Sequence, residues 1–267
     1  MSKNAAELLE SRRFDKKFIP DSEQQVLEIS SRTVATLENY VIYAGLPKAG
    51  KSTFISGLIA SCFTSWPVFD QKLYLPETRR KIALFDTESS SYDLHRTMKR
   101  IELYADISIL PDRFEVFTLR EDMPKTILEL IEKYLSITPD CSVIVIDGLL
   151  DLCINYNDEV ETRILTNWLK RVTKQYKILI ISVLHLGKNT GETLGVLGSN
   201  TDRWAQATMT IKKNKDTGQM VLEPKFLRSA EDFSPIAIEW TGKGFTKTEY
   251  REPVIIKNAV GRPKIKK

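Results

Sequence analysis

The stretch Gly45-Leu46-Pro47-Lys48-Ala49-Gly50-Lys51-Ser52-Thr53 decides the fold. It matches G-x-x-x-x-G-K-[ST] at every fixed position. The apolar run NYVIYAG (39–45) reads as a buried strand ending at the first glycine. KSTFISGLIASCF (51–63) follows as a helix with Phe54, Ile55, Leu58, Ile59 and Phe63 turned inward. Gly45 and Gly50 let the backbone curl so that successive amides and the helix N-terminus point at a phosphate. In that geometry Lys51 reaches the β- and γ-phosphates of a nucleotide and the Ser52 hydroxyl ligates Mg²⁺. The whole loop from Gly45 to Thr53 is the expected nucleotide cradle.

Working outward, CSVIVIDGLL (141–150) is the most strand-like run, and it places Asp147 where a buried strand leaves the core, as the second metal contact. KIALFDTE (81–88) and KILIISVLH (177–185) are further apolar strands, and 113–119 is a short one. Helices are expected at 92–104, 125–135 and 159–175. This alternation predicts an α/β fold: a largely parallel central sheet with helices on both faces. ATMTIKKNKDTGQMVLEPKF (207–226) holds two alternating runs joined at Asp216, Thr217 and Gly218, a C-terminal antiparallel hairpin, and AIEW (237–240) adds a short strand. Residues 1–20 read as polar and irregular, 22–37 carry weak helical periodicity, and 186–203 reads as a polar loop. The expected organisation is an N-terminal extension 1–38, a core 39–240 and a C-terminal extension 241–267.

Hydrolysis also needs a group that orients or deprotonates water. Gly148 follows Asp147, so an adjacent acid is missing. Glu88, at the end of another strand on the same sheet edge, is the candidate base. Asp86 lies two residues earlier on the same side of that strand and competes with it, and Asp151 is a third choice. His185, one of two histidines, ends a third strand at this edge, where it is suited to sense the γ-phosphate and relay it into the following loop. His95, Arg96, Lys99 and Arg100 form a charged ribbon on a helix and read as surface residues.

Composition sets outer bounds. The chain has 267 residues, 42% hydrophobic and 28% charged, as in ordinary globular proteins. No apolar run reaches the roughly 20 residues of a membrane span. The three cysteines, Cys62, Cys141 and Cys153, match neither a disulfide framework nor a zinc knuckle, so a cytoplasmic, reducing setting is expected. The net charge is +4, but the acid-free run KNAVGRPKIKK (257–267) alone supplies five basic residues.

GLPKAGKST (45–53), FDTE (85–88), VIVIDG (143–148), SVLH (182–185) and LGSNTDRWAQATMTIKK (197–213) together resemble the RecA/DnaB-like ATPase superfamily, nearest to its RepA-like replicative helicase (AAA_25-type) group. The resemblance implies a RecA-like P-loop NTPase core with Glu88 catalytic, Asp147 on the metal and His185 as γ-phosphate sensor. It further implies rings or filaments with ATP at the subunit interface and mobile DNA-facing loops. Lys225 and Arg228 in EPKFLR look like the basic pair that reaches into a neighbour's nucleotide. Here the spacing is Lys-x-x-Arg, where many relatives have Lys-x-Arg, and Pro224 is an edge-type strand residue.

Lys188 and Arg203 are the candidate nucleic-acid contacts, and Gly261-Arg262-Pro263 in the tail is similar to part of an AT-hook. The expected function is Mg²⁺-dependent ATP hydrolysis coupled to DNA binding or translocation, in replication or mobilisation of a plasmid, phage or mobile element. A homo-oligomer and a replication or mobilisation protein partner are expected, with no membrane partner. An ATP-dependent switch or scaffold that binds a protein, with little motor activity, is the alternative. A small-molecule phosphotransferase would instead need an acceptor pocket and a lid.

Overall fold

Residues 5–19, 25–187 and 195–252 are described by the structure, a computed structural model. The first half comprises α1 (Ala5–Glu10), β1 (Gln25–Ile29), β2 (Arg32–Thr36), β3 (Tyr40–Gly45), α2 (Lys51–Ser61), β4 (Gln71–Leu73), β5 (Lys81–Asp86), α3 (Ser91–Ala105) and β6 (Phe114–Thr118). There follow α4 (Pro124–Ile137), β7 (Cys141–Asp147), a 3-10 turn (Leu149–Leu152), α5 (Glu159–Tyr176), β8 (Leu179–His185) and α6 (Gly195–Trp204). Strands β9 (Ala207–Lys213), β10 (Met220–Leu227), β11 (Ile236–Trp240) and β12 (Phe245–Thr248) complete the described chain.

Nine strands form one sheet in the order β12-β11-β10-β9-β3-β8-β7-β5-β6. From β9 to β6 neighbouring strands are parallel, whereas β10, β11 and β12 add antiparallel. The parallel centre is made of β-branched and aromatic residues buried on both faces, as sequence runs without alternation require. Ile42, Ala44, Ile144, Ile146 and Ile180 pack towards α4 and α5. Val41, Tyr43, Val143, Val145 and Ile181 pack towards α2 and α3. The expected mixed α/β core is therefore observed, and its sheet continues past residue 240 to Thr248.

Three sequence expectations are corrected. Within the stretch 22–37, the described residues from Gln25 do not make a helix, because β1 and β2 form an antiparallel hairpin turned at Ser30 and Ser31, both at positive φ (50° and 61°). The β-branched content of RTVAT and the burial of Val26, Leu27 and Ile29 on a second sheet, β2-β1-β4, outweigh a weak 3.6-residue period. Nor is 186–203 a loop throughout, since 195–204 is α6. Its fully buried Leu197 and Thr201, four residues apart, face α5 and the sheet, so tertiary packing overrides the low helix propensity of glycine. The third lies in 1–20, which is not irregular throughout, since Ala5–Glu10 forms the short helix α1; strand β4 is a further element without a sequence signal.

Inside the core, the Tyr43 hydroxyl donates to Gln71 Oε1 at 2.9 Å and Gln71 Nε2 donates to the Phe54 carbonyl at 3.3 Å, tying β3, β4 and α2 together with both side chains fully buried. Tyr43→Phe leaves that amide oxygen unpaired and is expected to lower unfolding stability by about 1–2 kcal/mol, read from urea denaturation midpoints.

Candidate nucleotide site

Because β3, β8, β7 and β5 are parallel and adjacent, their C-terminal ends share one edge. Register places Gly45 opposite His185 and Asp86 opposite Asp147. The loop leaving β3 puts Leu46, Pro47 and Lys48 in solvent and buries Ala49. It then turns into α2 through Gly50 at φ 107°. A Cβ at 50 would strike the Met220 side chain, and one at 45 would stand 2.8 Å from the Ile211 carbonyl oxygen, so close approach requires glycine at both positions, and at 50 the backbone angle does as well. Ser52 is exposed on the first turn of α2, and Thr53 is buried beside it.

Lys51 folds back over the loop. Its ammonium donates to the carbonyls of Gly45 (3.0 Å) and Leu46 (3.1 Å), and it lies 3.3 Å from His185 Nδ1. Burial holds this ammonium below the ordinary lysine value, while Glu88 and Asp147 favour its charge. With Lys51 donating to Nδ1, Nε2 carries the imidazole proton and donates to Glu88 Oε1 at 3.2 Å. That hydrogen bond, opposed by burial, keeps the Glu88 carboxyl below the usual range.

Glu88 belongs to the β5 end and His185 to the β8 end, with β7 between them. The carboxylate crosses over Gly148, where a Cβ would fall on Glu88 Oε1. The space in which an acid after Asp147 would stand is occupied by Glu88.

The competing acids have other work. Asp86 is buried, and its Oδ1 accepts the amides of Glu88 (3.1 Å) and Ser89 (2.6 Å), so it shapes the turn that presents Glu88. Asp151 accepts from the Thr87 hydroxyl at 2.7 Å, and the same hydroxyl accepts the Gly148 amide at 3.0 Å. Thr87 is the residue that sequence reading passed over. It pins β5 to the end of β7, and its only signal was a hydroxyl between two acids in FDTE. Burial first, then the Glu88 and Asp86 carboxylates, push Asp147 up to about 7. A carboxyl held among like charges in a dry site is suited to a cation, whose charge offsets that cost. Among the described residues no group of three His, Cys, Asp or Glu side chains could hold a metal by itself. The exposed Ser52 hydroxyl and the Asp147 carboxylate are oxygen donors of the kind that suits Mg²⁺.

The remaining candidates lie elsewhere. β10 runs antiparallel to β9, so its C-terminal end reaches the opposite edge of the sheet, where Leu227 pairs with Ala207. There Lys225 is paired with Asp202 at 3.0 Å, both largely buried, and Arg228 donates to the Arg203 carbonyl. Arg203 itself is exposed at the end of α6, on that far edge rather than in a loop beside His185. Pro224 falls beyond Met220–Leu222, the part of β10 that β11 covers, which makes it an edge residue locally. Lys188 and the tail with its AT-hook-like stretch lie outside the described residues.

Comparison with known proteins bears on the family and the fold. The AAA domain family AAA_25 matches residues 33–191. No curated protein matches the chain. Among solved structures, a KaiC-like protein from the hyperthermophilic archaeon Pyrococcus horikoshii OT3 superposes with a TM-score of 0.56 at 13% identity, covering 80% of this chain and 91% of that one. The RadB recombinase gives 0.55 at 15% identity, with 80% and 92% covered. At these identities the likeness is one of fold.

Gly148→Ala is expected to push Glu88 away from His185, with a stability loss of about 1–3 kcal/mol from overpacking and a fall in ATP turnover larger than any loss of nucleotide affinity. Denaturation, turnover and nucleotide titration on the same preparation check this.

Proposed function

The chain belongs to the AAA_25 family of AAA domains and is a P-loop ATPase of RecA-like fold; we propose that its hydrolysis of ATP is Mg²⁺-dependent and coupled to DNA. The observation that carries the catalytic part is the Lys51–His185–Glu88 chain laid across the phosphate edge. In this reading the backbone amides of Gly45 to Thr53 bind the phosphates and Lys51 leaves the Gly45 and Leu46 carbonyls for them. Ser52 and Asp147 hold the metal, which neutralises phosphate charge when bound. Glu88, ionised, takes the proton of the attacking water, and His185 reports to the chain beyond β8 whether a γ-phosphate is present.

Assembly follows from the sheet's two edges. β3 has six residues, so about 20 Å separates its ends, and Arg228 stands at the end away from its own phosphate loop. It cannot reach the nucleotide of its own subunit. A neighbour's nucleotide is the target we assign to Arg228 and Lys225, which makes the working form a homo-oligomer, ring or filament. Arg228 suits the task by its forked donors. We take 39–240 as the motor core, with β12 of the C-terminal extension completing its sheet. Of the RecA-like groups, the RepA-like replicative one fits the motif set, which argues for a cytoplasmic role in replication or mobilisation of a plasmid, phage or mobile element. The basic residues Lys188 and Arg203 and the tail support a nucleic-acid ligand by charge.

A second reading, an ATP-dependent switch that docks a protein, is favoured by the exposed apolar residues Leu9, Phe14, Phe18 and Ile19 of the N-terminal segment. The two readings part on whether DNA stimulates turnover.

Glu88→Gln is expected to bind ATP nearly as wild type and to lose about 100-fold or more in turnover, whereas Lys51→Ala loses binding first. Nucleotide titration and phosphate release separate them, and normal turnover in Glu88→Gln overturns the assignment. Arg228→Ala is expected to bind ATP and to be inactive alone, yet to recover part of its turnover when mixed with Lys51→Ala through interfaces that hold both intact groups. Turnover unaffected by Arg228→Ala, or a fully active monomer, contradicts the shared site.

A further inference from the structure

The charged ribbon of α3 does not face open solvent alone. The turn between β11 and β12 is closed by the Thr241 amide donating to the Gly244 carbonyl at 2.9 Å. The turn lies down on the end of α3, where a Cβ on Gly244 would stand 3.0 Å from Leu103 and 3.5 Å from Tyr104. Between hairpin and helix runs a groove of about 380 Å³. One wall carries His95, Arg96, Lys99 and Arg100, the other Lys243 and the Trp240–Phe245 pair, and no acidic side chain lines it among the described residues. Asp93 and Glu102 lie outside the groove, paired with Arg96 (3.8 Å) and Lys99 (2.7 Å). Trp240 is 61% exposed, with its ring 5.4 Å from that of Phe245 at 66°. A large indole left in water beside a line of cations is an arrangement a folded chain gains nothing from by packing.

We propose that this groove between α3 and the β11–β12 hairpin binds single-stranded nucleic acid, with a base stacked on Trp240 and the phosphates running along the α3 cations. Basic side chains that track a backbone, next to an exposed aromatic that offers its face to any base, are the two parts such binding needs. A duplex hides its base faces and leaves the indole without a partner, so an unpaired strand is the ligand. DNA and RNA strands share this chemistry. The proposal rests on the DNA-coupled reading and deepens it, because α3 begins at Ser91, three residues past Glu88. A strand held in the groove thus bears on the helix that leaves the proposed base.

The test uses the full chain with fluorescein-labelled oligothymidylate, oligouridylate and a duplex of matched length, titrated by anisotropy across a salt series. The variants are Trp240→Ala and Lys243→Glu, singly and together, each checked for an unchanged melting temperature and basal ATP turnover. Trp240→Ala is expected to weaken strand binding on the order of tenfold. Lys243→Glu is expected to lower the slope of log affinity against log salt by about 0.7 for the lost phosphate contact. Ultraviolet crosslinking of the wild type should place the oligonucleotide on the hairpin.

A folded double variant that binds the strand as wild type does, with the crosslink elsewhere, overturns the groove and leaves the DNA-coupled reading standing. A wild type that binds neither oligonucleotide nor duplex overturns that reading as well. A double variant that loses its oligomeric state while strand affinity is unchanged makes the groove a contact between copies, and the inference is wrong.

Discussion

The hydrogen bond from His185 to Glu88 passes over a residue with no side chain, and the phosphate edge is organised around it. Three strand ends meet there, two bearing carboxylates and one an imidazole, with a lysine ammonium on the far ring nitrogen. Glu88 is held ionised by its hydrogen bond from the imidazole, Lys51 is weakened by burial, and Asp147 is raised first by burial and then by its two acid neighbours. The arrangement separates the two acids in character: the imidazole keeps one charged, and the other is raised in a buried position beside like charges.

Much of this was legible in the sequence because buried parallel strands and a phosphate loop are written locally. Strand ends fix which residues share an edge, so Lys51, Asp147, Glu88 and His185 could be gathered from one dimension. The choice between Glu88 and Asp86 could not, since residues two apart point the same way. The backbone turn gives the two different partners: Asp86 accepts two amides, whereas Glu88 accepts from His185. The β1–β2 hairpin and α6 were misread for a related reason. Their local signals are weak or contrary, and a second small sheet and the flank of α5 decide them through contacts distant in sequence. Arg203 followed α6 to the far edge, away from the loop in which its charge had been noticed.

The two edges of the sheet divide the labour of the fold. The C-terminal edge gathers groups of opposite charge within hydrogen-bonding reach of one another. The other edge carries cations satisfied internally, Lys225 by Asp202 and Arg228 by a main-chain carbonyl. Cations kept in this way are held in place by their partners and are preorganised where they stand.

Strand β10 belongs to both edges. Near its start Met220 lies against Gly50 of the phosphate loop, and near its end stand Lys225 and Arg228. Its neighbour β9 is hydrogen-bonded to the phosphate strand along nearly its whole length. One continuous strand thus joins the residue that closes on Gly50 to the two cations of the opposite edge, with its register broken only between Pro224 and Phe226.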